Sequence, residues 1–165
     1  MKKKTLLILL FVFSFLAIVD GALLTYQHYS TSSSVLCVFG DSFNCNTVSQ
    51  SAYSTVDNIF YFLAVDMGFS VPIITISIPI AVIAIVLFLM IKLHILHLWH
   101  GKKVGRFHPN HSIWAMRILL SISMVYGIWL VYVQKYILQT YCLYCLILDT
   151  LIFLSLVISF MFRIE

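Results

Sequence analysis

Charge is what this sequence has least of. Ten lysines and arginines and six aspartates and glutamates make up 10% of its 165 residues, against 62% that are hydrophobic. A water-soluble globule of this length needs far more polar surface to cover itself, so the composition excludes one and assigns the chain to lipid. Internal repeats and low-complexity linkers are missing as well, which excludes solenoids and tethered domains. There is one C-x-x-C and no second, which argues against a four-thiolate metal centre. The apolar run that starts at Leu6 ends without a clear small-x-small cleavage site. A retained first helix therefore reads better than a cleaved signal peptide behind Lys2, Lys3 and Lys4.

What remains is hydrophobic sequence in four blocks. Val71 to Ile91 and Ile118 to Gln134 are uncharged, and Thr5 to Leu24 and Tyr141 to Phe162 carry one acid each, Asp20 and Asp149. Each block is close to the roughly 20 residues a helix needs to cross hydrocarbon. The expected fold is one all-α, polytopic membrane domain over residues 1–165, a bundle of four transmembrane helices at about 5–24, 71–93, 112–134 and 141–162. Lysine and arginine set its orientation, because cytoplasmic loops hold an excess of them. Lys2, Lys3, Lys4, Lys92, Lys102, Lys103, Arg106, Arg117 and Arg163 fall at the two ends and the second connection, leaving Lys135 elsewhere. Both termini are therefore expected in the cytoplasm, with the chain multi-pass in the inner or cytoplasmic membrane. The net charge of +4 reflects this bias and calls for no nucleic acid.

The first connection, 25–70, is then a large outer loop. Within it Val56 to Phe69 mixes apolar residues with Asp57, Asn58 and Asp66, too short and too charged to cross, and reads as a short interfacial helix. Pro72 is expected to mark the start of the second span. The inner connection, 94–111, contains His94, His97, His100, His108 and His111. These lie on the wrong side for the chemistry below, and contact with anionic headgroups accounts for them without a metal. Asp20 reads as a wet residue at the outer end of the first helix.

All four cysteines map to the outer, oxidising side. Cys37 and Cys45 form a C-x7-C around Gly40, Asp41, Ser42 and Asn44, residue types that permit a tight return. Cys142 and Cys145 form the C-x-x-C where the fourth helix begins. Residues three apart share a helix face, and the positive end of the helix dipole favours a thiolate there. A bridge between them closes too short a loop to add much stability, which favours redox work over a structural staple. One pair facing water and one at the membrane lip make a two-step relay by thiol–disulfide exchange. The electrons then need an acceptor in the bilayer, and a quinone is the common hydrophobic two-electron acceptor.

The order of these elements resembles the vitamin K epoxide reductase family, specifically bacterial and archaeal members that drive disulfide formation without a fused thioredoxin-like domain. The likeness covers nearly the whole chain. It rests on a spaced loop pair after the first helix, then Ser51-Ala52-Tyr53-Ser54, then a C-x-x-C opening the last helix. The resemblance implies a quinone-linked, protein-disulfide-forming oxidoreductase. Its partner would be a periplasmic thioredoxin-fold thiol oxidase of the DsbA type and its acceptor a ubiquinone or menaquinone. It also implies that Cys145 lies nearest the quinone ring, that Cys142 exchanges with one loop cysteine, and that the other loop cysteine meets the partner. The sequence leaves open which of Cys37 and Cys45 does which. The other quinone-linked disulfide-generating membrane family places its C-x-x-C in the first outer loop, the reverse of the order here. Animal members carry a tyrosine near the position of Asp149, so vitamin K epoxide is disfavoured as a substrate.

Asp149 lies one helical turn past Cys145 on the same side, and an acid inside a span is a functional candidate for quinone contact or proton delivery. Ser51 and Ser54 are candidates for hydrogen bonds to a thiolate, by resemblance to the hydroxyl the family keeps there. Tyr144, like Tyr141, flanks the reactive pair, either as a ring-stacking wall or as a residue of the interfacial belt. Two rival readings stand beside this one: a membrane thiol reductase running electrons outward, and a non-enzymatic tetraspan subunit with inert bridges.

Overall fold

The computed structural model describes residues 3–30, 38–39, 42–56, 78–100 and 109–162. Helices α1 (Lys3–Tyr29), α3 (Ile80–His100), α4 (Pro109–Val133) and α5 (Leu143–Met161) form the bundle. Between α1 and α3 come two short strands, β1 (Val38–Phe39) and β2 (Phe43–Asn44), and a five-residue helix α2 (Cys45–Ser49). Among the described residues, four helices are long and apolar enough to cross a membrane. The chain is a multi-pass, all-α membrane protein of tetraspan type. The expected interfacial helix at Val56 to Phe69 and Pro72 lie, apart from Val56, outside the described residues; α3 is seen from Ile80 on, directly after Pro79.

Lipid is the solvent of this fold, and exposure follows from it. Phe15, Leu93, Ile122, Val125, Ile128 and Phe160 are all large, apolar and exposed on the outside of the bundle. Inside, α1 sits between α3 and α5, and α4 packs mainly on α5. On α1 the buried residues Leu6, Leu10, Ser14, Ala17, Gly21 and Leu24 recur every three or four positions, the repeat of one helix face. The core they enter includes Phe88, Ile91 and Ile95 of α3, Met116 and Leu120 of α4, and Leu151, Ile152 and Ile158 of α5. Packing between helices in lipid gains little from the hydrophobic effect and depends on close approach of small residues. Gly21 is such a point: a Cβ there would stand 2.9 Å from Cγ1 of Ile85 on α3.

The end away from the cysteines is closed by Arg117. Its guanidinium donates to the Ser159 carbonyl (3.2 and 3.1 Å) and the Phe162 carbonyl (2.7 Å), satisfying carbonyls of the last turn of α5. His97 and Ser112 meet at 3.3 Å and tie α3 to α4 at the same end.

Replacing Gly21 with leucine overpacks the α1–α3 contact. The expected loss is about 1–3 kcal/mol, read as a lower thermal midpoint of the purified protein in detergent. An unchanged midpoint would contradict the close approach.

Candidate functional site

Helix α5 begins at the C-x-x-C. Cys142 is its N-cap residue, with extended backbone, and its sulfur accepts the N–H of Cys145 at 3.2 Å. That sulfur is therefore the capping atom of the helix, in the place where serine or aspartate oxygen usually stands. The helix dipole and the Cys145 N–H both favour negative charge on Cys142 when the pair is reduced. In the structure the pair is closed as a disulfide, with Cα atoms 5.2 Å apart.

A turn of π-helix, Gln134–Leu138, ends the preceding span, and Gln139 follows it in the left-handed region with φ 53°. The wide turn places the Gln134 side chain beneath the start of α5. Its Oε1 accepts the Cys142 N–H at 2.8 Å, so one side chain fixes the backbone that carries the first reactive sulfur. Gln134 is 1% exposed.

The outer loop is stitched to this same point. β1 and β2 pair antiparallel with Val38 opposite Asn44, the tight return anticipated for the segment between the loop cysteines. β2 then pairs with the residue before Cys142: Asn44 N donates to the Tyr141 carbonyl at 3.0 Å, and Tyr141 N to the Ser42 carbonyl at 2.9 Å. The rings of Phe43 and Tyr141 lie 5.9 Å apart over the same pairing. Asn44 also caps α2 by accepting the Thr47 N–H. The result is that Cys45 and Cys142, each the residue after a paired strand position, are both fully buried and share one small apolar cluster with Leu24 and Val48. Cys45 is held in a disulfide; Cys37 lies outside the described residues.

Cys145 opens the other way. It lines a cavity with Leu24, Pro79, Ile80, Ala81, Leu130 and Leu148, and with His28, Tyr53, Gln134 and Asp149 among its polar or aromatic members. Its empty space, open mouth included, is about 670 Å³. Asp149 is in the wall one turn past Cys145, as helix periodicity requires.

The remaining sequence candidates divide. Ser51 and Ser54 line the cavity, but their hydroxyls donate to backbone: Ser51 to the Val48 carbonyl at 2.7 Å, Ser54 to the Ser49 and Ser51 carbonyls at 2.6 and 2.8 Å. They shape the turn around Tyr53 and are not bonded to a sulfur. Tyr144 is not in the cavity wall. It is turned about 100° from Cys145 on α5 and packs on the Cys45–Cys142 cluster, while Tyr53 supplies the aromatic wall.

Asp20 is not a wet end residue. Helix α1 continues past it to Tyr29, because Thr25 and Gln27 extend the helix beyond the apolar run, and Asp20 is left 6% exposed inside the bundle. It lies near Asp149, as does Tyr126. Asp20 Oδ2, Asp149 Oδ2 and the Tyr126 hydroxyl are buried and have no hydrogen-bond partner among the described residues. Gly127 makes room for this group, since a Cβ there would overlap the Asp149 carboxyl. His28, Gln134, Tyr126 and Gly127 escaped the sequence reading. None belongs to a motif, and a lone amide or histidine near the end of a span carries no signal until the fold sets it beside a cysteine.

The two cysteines of the helix pair differ in access, and this is measurable. After reduction, Cys145 is expected to react with a small membrane-permeant maleimide at least about tenfold faster than Cys142, because modification requires an exposed sulfur. Peptide mapping by mass spectrometry reads the ratio; equal rates would contradict the placement of Cys145 at the cavity and Cys142 in the core.

Cys45 and Cys142 are thus buried in one cluster, and Cys145 stands at the cavity. A comparison with curated proteins gives no match. The sequence model of the vitamin K epoxide reductase family matches residues 8–160, nearly the whole chain. This protein, with its four spans and the disulfide at the head of the last one, belongs to the vitamin K epoxide reductase family and is a membrane oxidoreductase.

Proposed function

We propose that this protein is a quinone-dependent thiol oxidase. It takes two electrons from a periplasmic thioredoxin-fold protein and passes them through two cysteine pairs to a quinone in the bilayer, which supports disulfide formation in other proteins. The observation that carries this reading is the position of the helix pair, with Cys142 buried beside Cys45 and Cys145 on the wall of an apolar cavity.

The cavity fits a quinone ring on its own chemistry. Its walls are mostly aliphatic, with Tyr53 as a flat aromatic face and a few polar groups, the lining expected for a small apolar ligand with two polar atoms. Bound there, a ubiquinone or menaquinone supplies a sink for two electrons and two protons. Cys145 is the sulfur that faces it, and Asp149, one turn deeper, is the protic group beside it.

The reduced partner opens the Cys37–Cys45 disulfide, leaving the partner oxidised and two thiols on the loop. Val38 and Asn44 are paired, and in the sequence Cys37 directly precedes the one and Cys45 directly follows the other, which supports their pairing. The Cys45 thiolate attacks Cys142 Sγ and Cys145 leaves as thiolate. Cys37 then attacks Cys45, re-forming the loop disulfide and releasing Cys142. The helix pair now holds both electrons as a dithiol and returns to the disulfide as they leave with two protons. The burial of Cys45 against Cys142 supports this division of labour, with Cys37 as the residue that meets the partner.

Orientation belongs to the same reading. Lys3, Lys4, Lys92 and Arg117 lie toward the end of the bundle away from the cysteines, so that end is assigned to the cytoplasm together with both termini. A reporter enzyme that works only in the cytoplasm is expected to be active when fused at either end.

The direct test mixes purified protein, a reduced thioredoxin-fold partner and a soluble quinone analogue. Quinone-dependent loss of thiols is expected, abolished in Cys145→Ala and lowered at least about tenfold in Asp149→Asn if proton transfer limits the rate. A Cys145→Ala variant at the wild-type rate would leave the inert-bridge reading standing. Full turnover in Asp149→Asn would remove Asp149 from proton delivery.

A further inference from the structure

The polar side chains inside the bundle mostly satisfy themselves. Ser14, Thr25, Ser123, Thr150 and Ser159 each donate to a carbonyl three or four residues back in their own helix. Gln134 does only half of this. Its carboxamide carbonyl accepts the Cys142 N–H at 2.8 Å, while its amino group is buried with no hydrogen-bond partner among the described residues. The orientation of the amide is fixed by chemistry: a backbone N–H can be met only by the oxygen, so the nitrogen must be the atom left over. An amino group with two donor hydrogens, out of water and unpaired, is unfavourable by about 1–3 kcal/mol. Gln134 also lines the cavity that Cys145 faces.

Resting on the proposed quinone chemistry, we infer that the Gln134 amino group is the hydrogen-bond donor for a carbonyl oxygen of the quinone in this cavity. A quinone offers acceptors only, and a carboxamide N–H is a donor that does not titrate, so the pair is complementary at every pH. Several other polar groups of the wall serve less well for this task. Asp149 donates only when protonated, the His28 Nδ1–H is engaged by the Ser49 carbonyl, and the Ser51 and Ser54 hydroxyls are bonded to backbone. Gln134 thereby holds the ring with one end of its amide and the Cys142 backbone with the other. The ligand carbonyl and the helix pair are registered against each other through one rigid planar group. The π-turn at Gln134–Leu138 is the local feature that puts a span-end residue into this position, a placement such turns often have.

The test measures binding as well as turnover, in the full-length protein in detergent, with decylubiquinone and menadione as probes. Gln134→Leu is expected to weaken binding of both by about tenfold or more, as loss of one donor to a buried acceptor does. Gln134→Glu keeps the acceptor for Cys142 but donates only as the neutral acid. Its affinity relative to wild type is expected to be low at high pH and to recover as pH falls. Equal affinities in wild type and Gln134→Leu would overturn the inference. So would a Gln134→Glu defect that is the same at every pH, since that is the mark of a residue that only supports the Cys142 backbone. The reduction potential of the Cys142–Cys145 pair, followed by thiol labelling, separates the roles further: it is expected to stay at the wild-type value in Gln134→Glu, and a shift matching the loss of binding would also overturn it. If wild type binds neither probe, the quinone reading itself falls, and this inference with it.

Discussion

Two backbone hydrogen bonds, Asn44 N–H to the Tyr141 carbonyl and Tyr141 N–H to the Ser42 carbonyl, hold the loop to the head of the last helix. Everything chemical in this protein depends on them. Cys45 and Cys142 are nearly a hundred positions apart in the chain, and it is this short parallel pairing, reinforced by the Phe43–Tyr141 ring contact, that brings both into one buried cluster. The pairing sits where the span has ended, so its peptide groups satisfy each other at the margin of the apolar bundle, where unpaired backbone would be strongly disfavoured. Disulfide exchange needs sulfurs in line and in reach, and a loop attached only by its ends would not supply that.

The membrane shapes the rest. In a medium without water every polar side chain needs an internal partner or a purpose. The hydroxyls of the spans bond back to their own helices, and Arg117 completes the far end of α5. Against that background the buried polar atoms without a hydrogen-bond partner among the described residues include those of Asp20, Asp149, Tyr126 and the amino group of Gln134, with His97 Nε2 and Ser155 Oγ elsewhere in the bundle. Asp149 and Gln134 are in the wall of the cavity beside Cys145, and Asp20 and Tyr126 lie near Asp149.

Much of this was legible before any coordinates. Four apolar blocks separated by polar connections give four spans because hydrocarbon thickness sets the length, and the C-x-x-C at Tyr141–Cys145 gives a helix start. Asp149 could be placed beside Cys145 from the 3.6-residue repeat alone. Other features depend on three-dimensional packing and were not readable. Asp20 looked wet because the apolar run ends near it, yet α1 continues through Tyr29 and carries it into the interior. Tyr144 looked like a cavity wall because it adjoins Cys145, but adjacent residues on a helix face different ways. Tyr53 supplies that wall through a turn held by Ser51 and Ser54. Gln134 could not be singled out at all, since its role depends on a π-turn that apolar periodicity does not encode.

The central claim is that Cys45 and Cys142 are within bonding reach of each other as the protein folds. A variant with Cys37→Ser and Cys145→Ser leaves these two as its only thiols. Expressed in an oxidising compartment and digested without reduction, it is expected to yield a single cross-linked peptide pair containing Cys45 and Cys142. Recovery of the two cysteines as separate, alkylated peptides would contradict the account.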